Sequence, residues 1–319
     1  MTRRFGYTGR VRPVDWLRER SFHHGDFPPE RLAAERTATV SVCVPAREEA
    51  ATIGRVVAGL VDLRERGVVD QVVVVDGGSA DGTAELAAAA GAEVHDQSSL
   101  LSEFGPVAGK GDAMWRALRV LTGDVVAYVD ADSEDFGPHF ASGLIGPLLT
   151  LPDVQYVKGC YRRPFKLGGE SAPEGGGRVT ELTARPLLNM FYPELAGFHQ
   201  PLAGEIAARR SLLERLPWST GYAVEIAQLI DAWSAVGLRG MAQVDLDVRQ
   251  NRHQPLRELG PMAYAVLRAV SDRLVREGRL AGPLEPAELL VPAPGGLRPR
   301  AVEIVERPPI AALRVGAWA

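Results

Sequence analysis

The chain is poor in cysteine, in lysine and in long apolar runs, and each shortage closes a class of function. Its two cysteines, Cys43 and Cys160, lie in apolar, strand-like runs with no metal-type spacing, so they read as small core residues and no disulfide is expected. No apolar run approaches the roughly 20 residues of a membrane span. The opening Met1-Thr2-Arg3-Arg4-Phe5 leads into Arg- and Asp-bearing sequence instead of a signal segment. The expectation is a cytoplasmic protein with no membrane partner. A net charge of −4 leaves no basic excess to neutralise phosphates, so no nucleic-acid partner is expected either. Lysine occurs only at Lys110, Lys158 and Lys166 among 36 basic residues. Where arginine serves almost everywhere, a retained lysine hints at a place that needs a compact ammonium.

What is present suits a soluble α/β protein: 319 residues, 46% hydrophobic and 24% charged, are enough to bury a full core. Residues 1–36 carry no clear period and read as an N-terminal arm. From Thr39 the pattern turns regular, with Val40–Val44, a helical stretch around Ile53–Leu60, and Val72-Val73-Val74-Val75-Asp76. A helical stretch at Ala84–Ala90, a short strand at Ala92–Val94, a helix from about Lys110 and a strand ending at Asp130 follow. Strands and helices in alternation, with solid β-branched strand runs, predict an α/β fold with a doubly wound, mainly parallel sheet covered on both faces. Residues 37–160 form the first half. Residues 161–290 form a second, more helical half, with a Gly-rich loop at 166–177, helices near 179–191, 209–216 and 222–236, a strand at 242–246 and a long helix at about 256–276. Residues 291–319 form a Pro-rich tail expected to lie along the surface.

The most informative stretch is Val125-Val126-Ala127-Tyr128-Val129-Asp130-Ala131-Asp132. It describes a buried strand that surfaces only at its C-terminal end, where doubly wound folds bind ligands. Two carboxylates there can hold Mg²⁺ or Mn²⁺ through hard oxygens and leave positions free for a diphosphate. Three further segments end at the same edge: Val44-Pro45-Ala46-Arg47-Glu48-Glu49, Val75-Asp76-Gly77-Gly78-Ser79-Ala80-Asp81-Gly82-Thr83, and Gly109-Lys110-Gly111-Asp112. The run Gly105 to Gly111 is not a Walker A loop, because it has one residue too few between its glycines and no Ser or Thr after Lys110.

In this order and spacing the four segments resemble the nucleotide-sugar-binding half of a GT-A glycosyltransferase. The second half narrows the likeness. Tyr161-Arg162-Arg163-Pro164, Gly175-Gly176-Gly177-Arg178-Val179-Thr180-Glu181-Leu182, Arg185-Pro186-Leu187-Leu188, Gln200-Pro201-Leu202-Ala203-Gly204-Glu205 and Gly221-Tyr222-Ala223-Val224-Glu225-Ile226 resemble the glucosyl-3-phosphoglycerate synthase family. The likeness runs from about Thr39 to Gly260. It implies retaining transfer of glucose from UDP-glucose to the 2-hydroxyl of 3-phosphoglycerate, with Mg²⁺ or Mn²⁺ and as a homodimer. Mannosyl-transferring relatives that use GDP-mannose share much of the pattern, and the donor's base and sugar stay open.

By that resemblance Pro45, Ala46, Glu49, Asp76, Gly77, Lys110, Asp130 and Ala131 meet the nucleotide-sugar, Asp132 holds the metal, and Gly177, Arg178 and Thr180 hold the phosphoglycerate. Exposed backbone N–H groups beside Arg178, at the start of a helix, also make chemical sense as an anion site. Glu225 is expected to orient the hydroxyls of sugar and acceptor. On a helical wheel of about 100° per residue it falls roughly 60–70° from the centre of a stripe of Tyr222, Ile226, Leu229 and Trp233, where it can face a cleft. Close family members carry a metal-binding His where this chain has Asn251, with His253 two residues later; either can complete the coordination. The histidines His23, His24, His95, His139 and His199 are read as structural. Two rivals of other kinds remain at this level, a nucleotidyltransferase, recognisable by pyrophosphate release, and a non-catalytic nucleotide-sugar sensor.

Overall fold

A computed structural model describes residues 11–163, 165–167, 170–172, 177–249, 255–282, 288–293 and 296–313. Its strands are β1 (Ser21–His23), β2 (Val40–Ala46), β3 (Gln71–Asp76), β4 (Glu93–Asp96), β5 (Val125–Tyr128), β6 (Tyr156–Arg162), β7 (Phe165–Leu167), β8 (Glu170–Ala172), β9 (Ile206–Arg209), β10 (Trp218–Ser219), β11 (Met241–Val248), β12 (Glu288–Ala293), β13 (Gly296–Ala301) and β14 (Glu306–Arg307). Its helices are α1 (Pro13–Glu19), α2 (Pro29–Glu35), α3 (Ile53–Glu65), α4 (Thr83–Ala89), α5 (Lys110–Ala117), α6 (His139–Thr150), α7 (Arg185–Phe191), α8 (Arg210–Leu213), α9 (Val224–Val236) and α10 (Leu256–Arg276).

Among the described residues the main sheet has eight strands in the order β1-β11-β6-β9-β5-β2-β3-β4. All neighbours run parallel except β9, which is antiparallel to both β5 and β6. The mainly parallel sheet read from the β-branched runs is therefore present, with one reversed strand inserted. Successive residues alternate between two cores, as a strand's period of two requires. Val40, Val42, Val44, Val72, Val74, Val125 and Ala127 pack on one face, and Cys43, Val73, Val75, Val126 and Tyr128 on the other. Both cysteines are buried and unpaired. No helix among the described residues is long and apolar enough to cross a membrane.

Several boundaries differ from the sequence reading for physical reasons. The arm assigned to 1–36 contributes β1, which pairs with β11 and so belongs to the sheet. Within the expected Gly-rich loop, β7 and β8 form an antiparallel pair. The tail does not simply lie along the surface. It turns back so that β14 pairs with β10, and Arg307 is buried against Asp112, Nη2 to Oδ2 2.8 Å.

Candidate active site at the C-terminal edge of the sheet

Register places three of the four candidate segments side by side. Ala46 of β2 is level with Asp76 of β3, and Cys43 is level with Tyr128 of β5, so Pro45, Ala46, Asp76 and the Asp130 run leave the sheet at one edge. The loops after β2 and β3 are stitched together. Glu48 donates its N–H to Ser79 Oγ (2.9 Å), Glu49 to Thr83 Oγ1 (2.9 Å) and Ala50 to Asp81 Oδ2 (3.0 Å), while Ala80 donates to Glu48 Oε1 (2.7 Å). The Asp76 carboxylate accepts from the N–H groups of Gly78 and Ser79 and from Ser79 Oγ. That fixes the turn containing Gly77. Ala131 is buried between the two aspartates of its loop.

Lys110 opens α5 and brings an ammonium to the acidic pair. Its Nζ lies 2.5 Å from Asp130 Oδ1 and 3.2 Å from Glu225 Oε1. Burial disfavours the charge on Lys110, but Asp130 and Glu225 outweigh it and hold the ammonium above the ordinary lysine range. Asp130 shows the converse, with burial opposed and exceeded by Lys110 and Arg249, so that its carboxyl titrates well below the usual range. Glu225 sits in the first turn of α9 with its side chain 11% exposed. The apolar stripe expected from the helical wheel is not a separate face, since Tyr222 precedes the helix and is exposed, and α9 is buried on nearly every side through Val224, Ile226, Ala227, Gln228, Leu229 and Ile230. What holds Glu225 toward the site is its ion pair with Lys110.

Three residues not assigned from sequence complete the cluster. Arg249, one residue beyond β11, is 1% exposed; its Nη1 lies 2.8 Å from Asp130 Oδ2 and 2.5 Å from Glu205 Oε1, and its Nη2 lies 2.5 Å from Asp132 Oδ1. Tyr161 receives a hydrogen bond from Arg249 at its hydroxyl (2.9 Å) and donates to Glu205 Oε2 (2.8 Å). Burial raises the Glu205 carboxyl above its ordinary value against the pull of Arg249. Lys158 of β6 is buried nearby and donates to Ala203 O (2.8 Å). A charged residue in the apolar run Leu202-Ala203-Gly204-Glu205-Ile206-Ala207-Ala208 was the available signal, because a carboxylate inside such a run needs a buried cation. No pattern pointed to Arg249 as that cation.

Gln200 lies between the acceptor segment and the strand that carries Tyr161. Gln200 Nε2 donates to Tyr161 O (3.5 Å), and its Oε1 lies 3.8 Å from where a Cβ on Gly177 would stand. Gly177 has φ +73°, a conformation that glycine adopts without strain. Arg178 is half-buried and Thr180 is 2% exposed at the start of a π-helical turn, 180–184, that runs into α7. Asn251 and His253 lie outside the described residues. The Asp132 side chain, 41% exposed and offering hard oxygens, suits Mg²⁺ or Mn²⁺ better than a soft metal.

Comparison with known proteins gives consistent matches. Residues 41–172 match the model of glycosyl transferase family 2. A glucosyl-3-phosphoglycerate synthase of Mycolicibacterium smegmatis is 46% identical over 259 residues, 81% of this chain and 85% of the relative. The crystal structure of mannosyl-3-phosphoglycerate synthase from Rubrobacter xylanophilus superposes with a TM-score of 0.88 at 50% identity, covering 96% of this chain and 100% of the other. That of glucosyl-3-phosphoglycerate synthase from Mycobacterium tuberculosis, in complex with Mn²⁺, UDP-glucose and phosphoglyceric acid, does so with 0.76 at 41% identity, covering 90% and 94%.

Proposed function

The chain belongs to the glucosyl-3-phosphoglycerate synthase family, and from that premise we propose that it transfers glucose from UDP-glucose to the 2-hydroxyl of 3-phosphoglycerate with retention at the anomeric carbon. The observation that carries this reading is the convergence of Asp130, Asp132, Lys110 and Glu225, with Arg249 between the two aspartates, on one edge of the sheet.

In this reading the loops carrying Pro45, Ala46, Glu49, Asp76 and Gly77 cradle the nucleoside, and Asp130 with Ala131 borders the ribose and sugar. Asp132, completed by Asn251 or His253, holds a divalent cation. When bound, Mg²⁺ or Mn²⁺ neutralises charge that grows on the leaving diphosphate. Lys110 adds a fixed positive charge on the same side, already oriented by Asp130 and Glu225. Gly177, Arg178 and Thr180 take the acceptor's phosphate or carboxylate, and Glu225 orients the hydroxyls. With Glu225 held by Lys110, the reading is front-face substitution. The bond from the anomeric carbon to the diphosphate oxygen breaks as the bond to the acceptor oxygen forms on the same face, and the acceptor's proton passes to the departing phosphate oxygen. A cytoplasmic location and a homodimer belong to the same proposal; light scattering on the purified protein checks the latter.

A second reading, transfer of mannose from GDP-mannose, is favoured by the superposition on the Rubrobacter xylanophilus mannosyl enzyme. One experiment tests both. The protein is mixed with Mn²⁺, 3-phosphoglycerate and either UDP-glucose or GDP-mannose, and the nucleoside diphosphate and sugar product are followed. UDP release with a glucosyl product supports the first reading, and GDP release with a mannosyl product the second. Release of neither overturns both, and pyrophosphate release would indicate nucleotidyl transfer.

A further inference from the structure

The acidic site holds a permanent cation of its own. Arg249 is 1% exposed and touches three carboxylates, and the two ends of its guanidinium differ. Nη1 is anchored between Asp130 Oδ2, Glu205 Oε1 and the Tyr161 hydroxyl, all within 2.9 Å, and the Tyr161 ring lies 5.4 Å from the guanidinium carbon. Nη2 has Asp132 alone as its acceptor among the described residues. The two aspartates differ in the same way. Asp130 is 18% exposed and is paired to both Lys110 and Arg249, whereas Asp132 is 41% exposed and, among the described residues, is paired to Arg249 alone. The Nε–H of Arg249 is buried with no acceptor among the described residues, an arrangement that a small rotation of the guanidinium would not make worse.

From this asymmetry we propose that Arg249 is a stand-in cation. It holds Asp132 while the metal is away and gives up that one carboxylate when a divalent cation enters together with the nucleotide's diphosphate. The proposal rests on the reading that Asp132 ligates the cation, and it adds how binding is ordered. A divalent ion arriving alone must displace Nη2 and then sit beside a buried guanidinium whose Nη1 end cannot leave, so like charges oppose it. An ion arriving with a diphosphate brings compensating negative charge and new acceptor oxygens to which Nη2 can turn. Metal and nucleotide therefore bind cooperatively, each raising the other's affinity by the same factor. Lys110 cannot take this part, since it is engaged by Asp130 and Glu225 and makes no ion pair with Asp132 among the described residues.

The test measures Mn²⁺ affinity from the electron paramagnetic resonance signal of free Mn²⁺, with and without UDP or GDP, whichever diphosphate the donor assay releases. Arg249→Lys keeps the charge but cannot span Asp132 and the Nη1 partners together. Glu205→Gln/Arg249→Gln removes one charge of each sign, so the buried site stays balanced if the single change perturbs the fold. Wild type should bind Mn²⁺ at least tenfold more tightly with the nucleotide than without it. In both variants the nucleotide-free affinity should rise about tenfold and the enhancement should shrink. Unchanged or weaker nucleotide-free affinity in both variants, each folded by circular dichroism, overturns the exchange. In Asp132→Ala the Mn²⁺ affinity should be lost. If it is retained there, the metal assignment itself is wrong and the exchange falls with it, whereas loss in Asp132→Ala with unchanged Arg249 variants removes the exchange alone.

Discussion

At the scale of single residues, the site depends on small clearances. A Cβ on Gly204 would overlap Lys110 Nζ and both carboxylate oxygens of Asp130, so Gly204→Ala should part that ion pair while the strand beside it persists. Displacements of this size cost about 100-fold in turnover, and the expected result is that loss in kcat/KM with a nearly unchanged thermal midpoint. Asp132→Ala should reduce transfer by at least about 1,000-fold, as expected when several kcal/mol of charge stabilisation at the diphosphate are removed. Steady-state assays in excess Mn²⁺, beside circular dichroism, check it. Lys158 offers a stability test. Burial is the main cause that pushes its ammonium down to about 8 from 10.5, against the opposing pull of Glu225. The folded protein thus binds fewer protons than the unfolded chain between those values, so the penalty is full below about pH 8 and is relieved as pH rises toward 10.5. Lys158→Met should therefore raise stability at pH 7, by up to about 3 kcal/mol, and the gain should shrink as the pH is raised. Parallel denaturant titrations at pH 7 and pH 10 would show this, and an equal gain at both would contradict it. The scarcity of lysine in the sequence had already singled out Lys110 and Lys158. Arg249 escaped for the opposite reason, since one arginine among so many carries no compositional mark.

At the scale of elements, α5 shows why distant segments matter to the site. Asp112, in its first turn, is fully buried and receives Arg307 from β14 at 2.8 Å on each oxygen, with Ala108 N–H at 2.9 Å. Burial alone would raise its carboxyl, but Arg307 together with the Ala108 N–H holds it below the ordinary range. Arg307→Met leaves that carboxylate without its main cation and should cost about 3–5 kcal/mol in denaturant unfolding. Transfer should fall as well, because the same helix carries Lys110. Adding Asp112→Asn should recover much of the stability; no recovery would show that packing, not charge, is what Arg307 provides. The parallel strands and α10 were legible because their periods are long and unbroken; α10 spans Leu256–Arg276 as the pattern predicts. α6 was not read, since it is buried from Phe140 to Leu148 and presents no polar face from which a helical period could be recognised. β9 was missed because Ile206–Arg209 is short and runs straight into the helical pattern that follows.

At the scale of the whole molecule, the two halves read from the sequence share one sheet. β9 and β11 of the second half flank β6, at the end of the first, and the three continue the sheet beyond β5, while β1 closes the edge. Long-range pairing of this kind is set by tertiary packing, and local propensity does not encode the reversed strand. With Lys110 and Arg249 already balancing the aspartates, the sheet should stay assembled without metal. Chelation by EDTA should stop transfer reversibly and leave far-UV circular dichroism unchanged; loss of the folded signal would show that the cation is structural.

The pairing of Arg307 with Asp112 also bears on synthesis. Residues 110–225 leave the ribosome carrying Lys110, Asp130, Asp132 and Glu225, yet Arg307, which pairs with Asp112 at the start of α5, is made only after them. Until Arg307 has been made and has folded back, Asp112 keeps only Arg116 and the Ala108 N–H as partners, so the turn that carries Lys110 should settle late in synthesis.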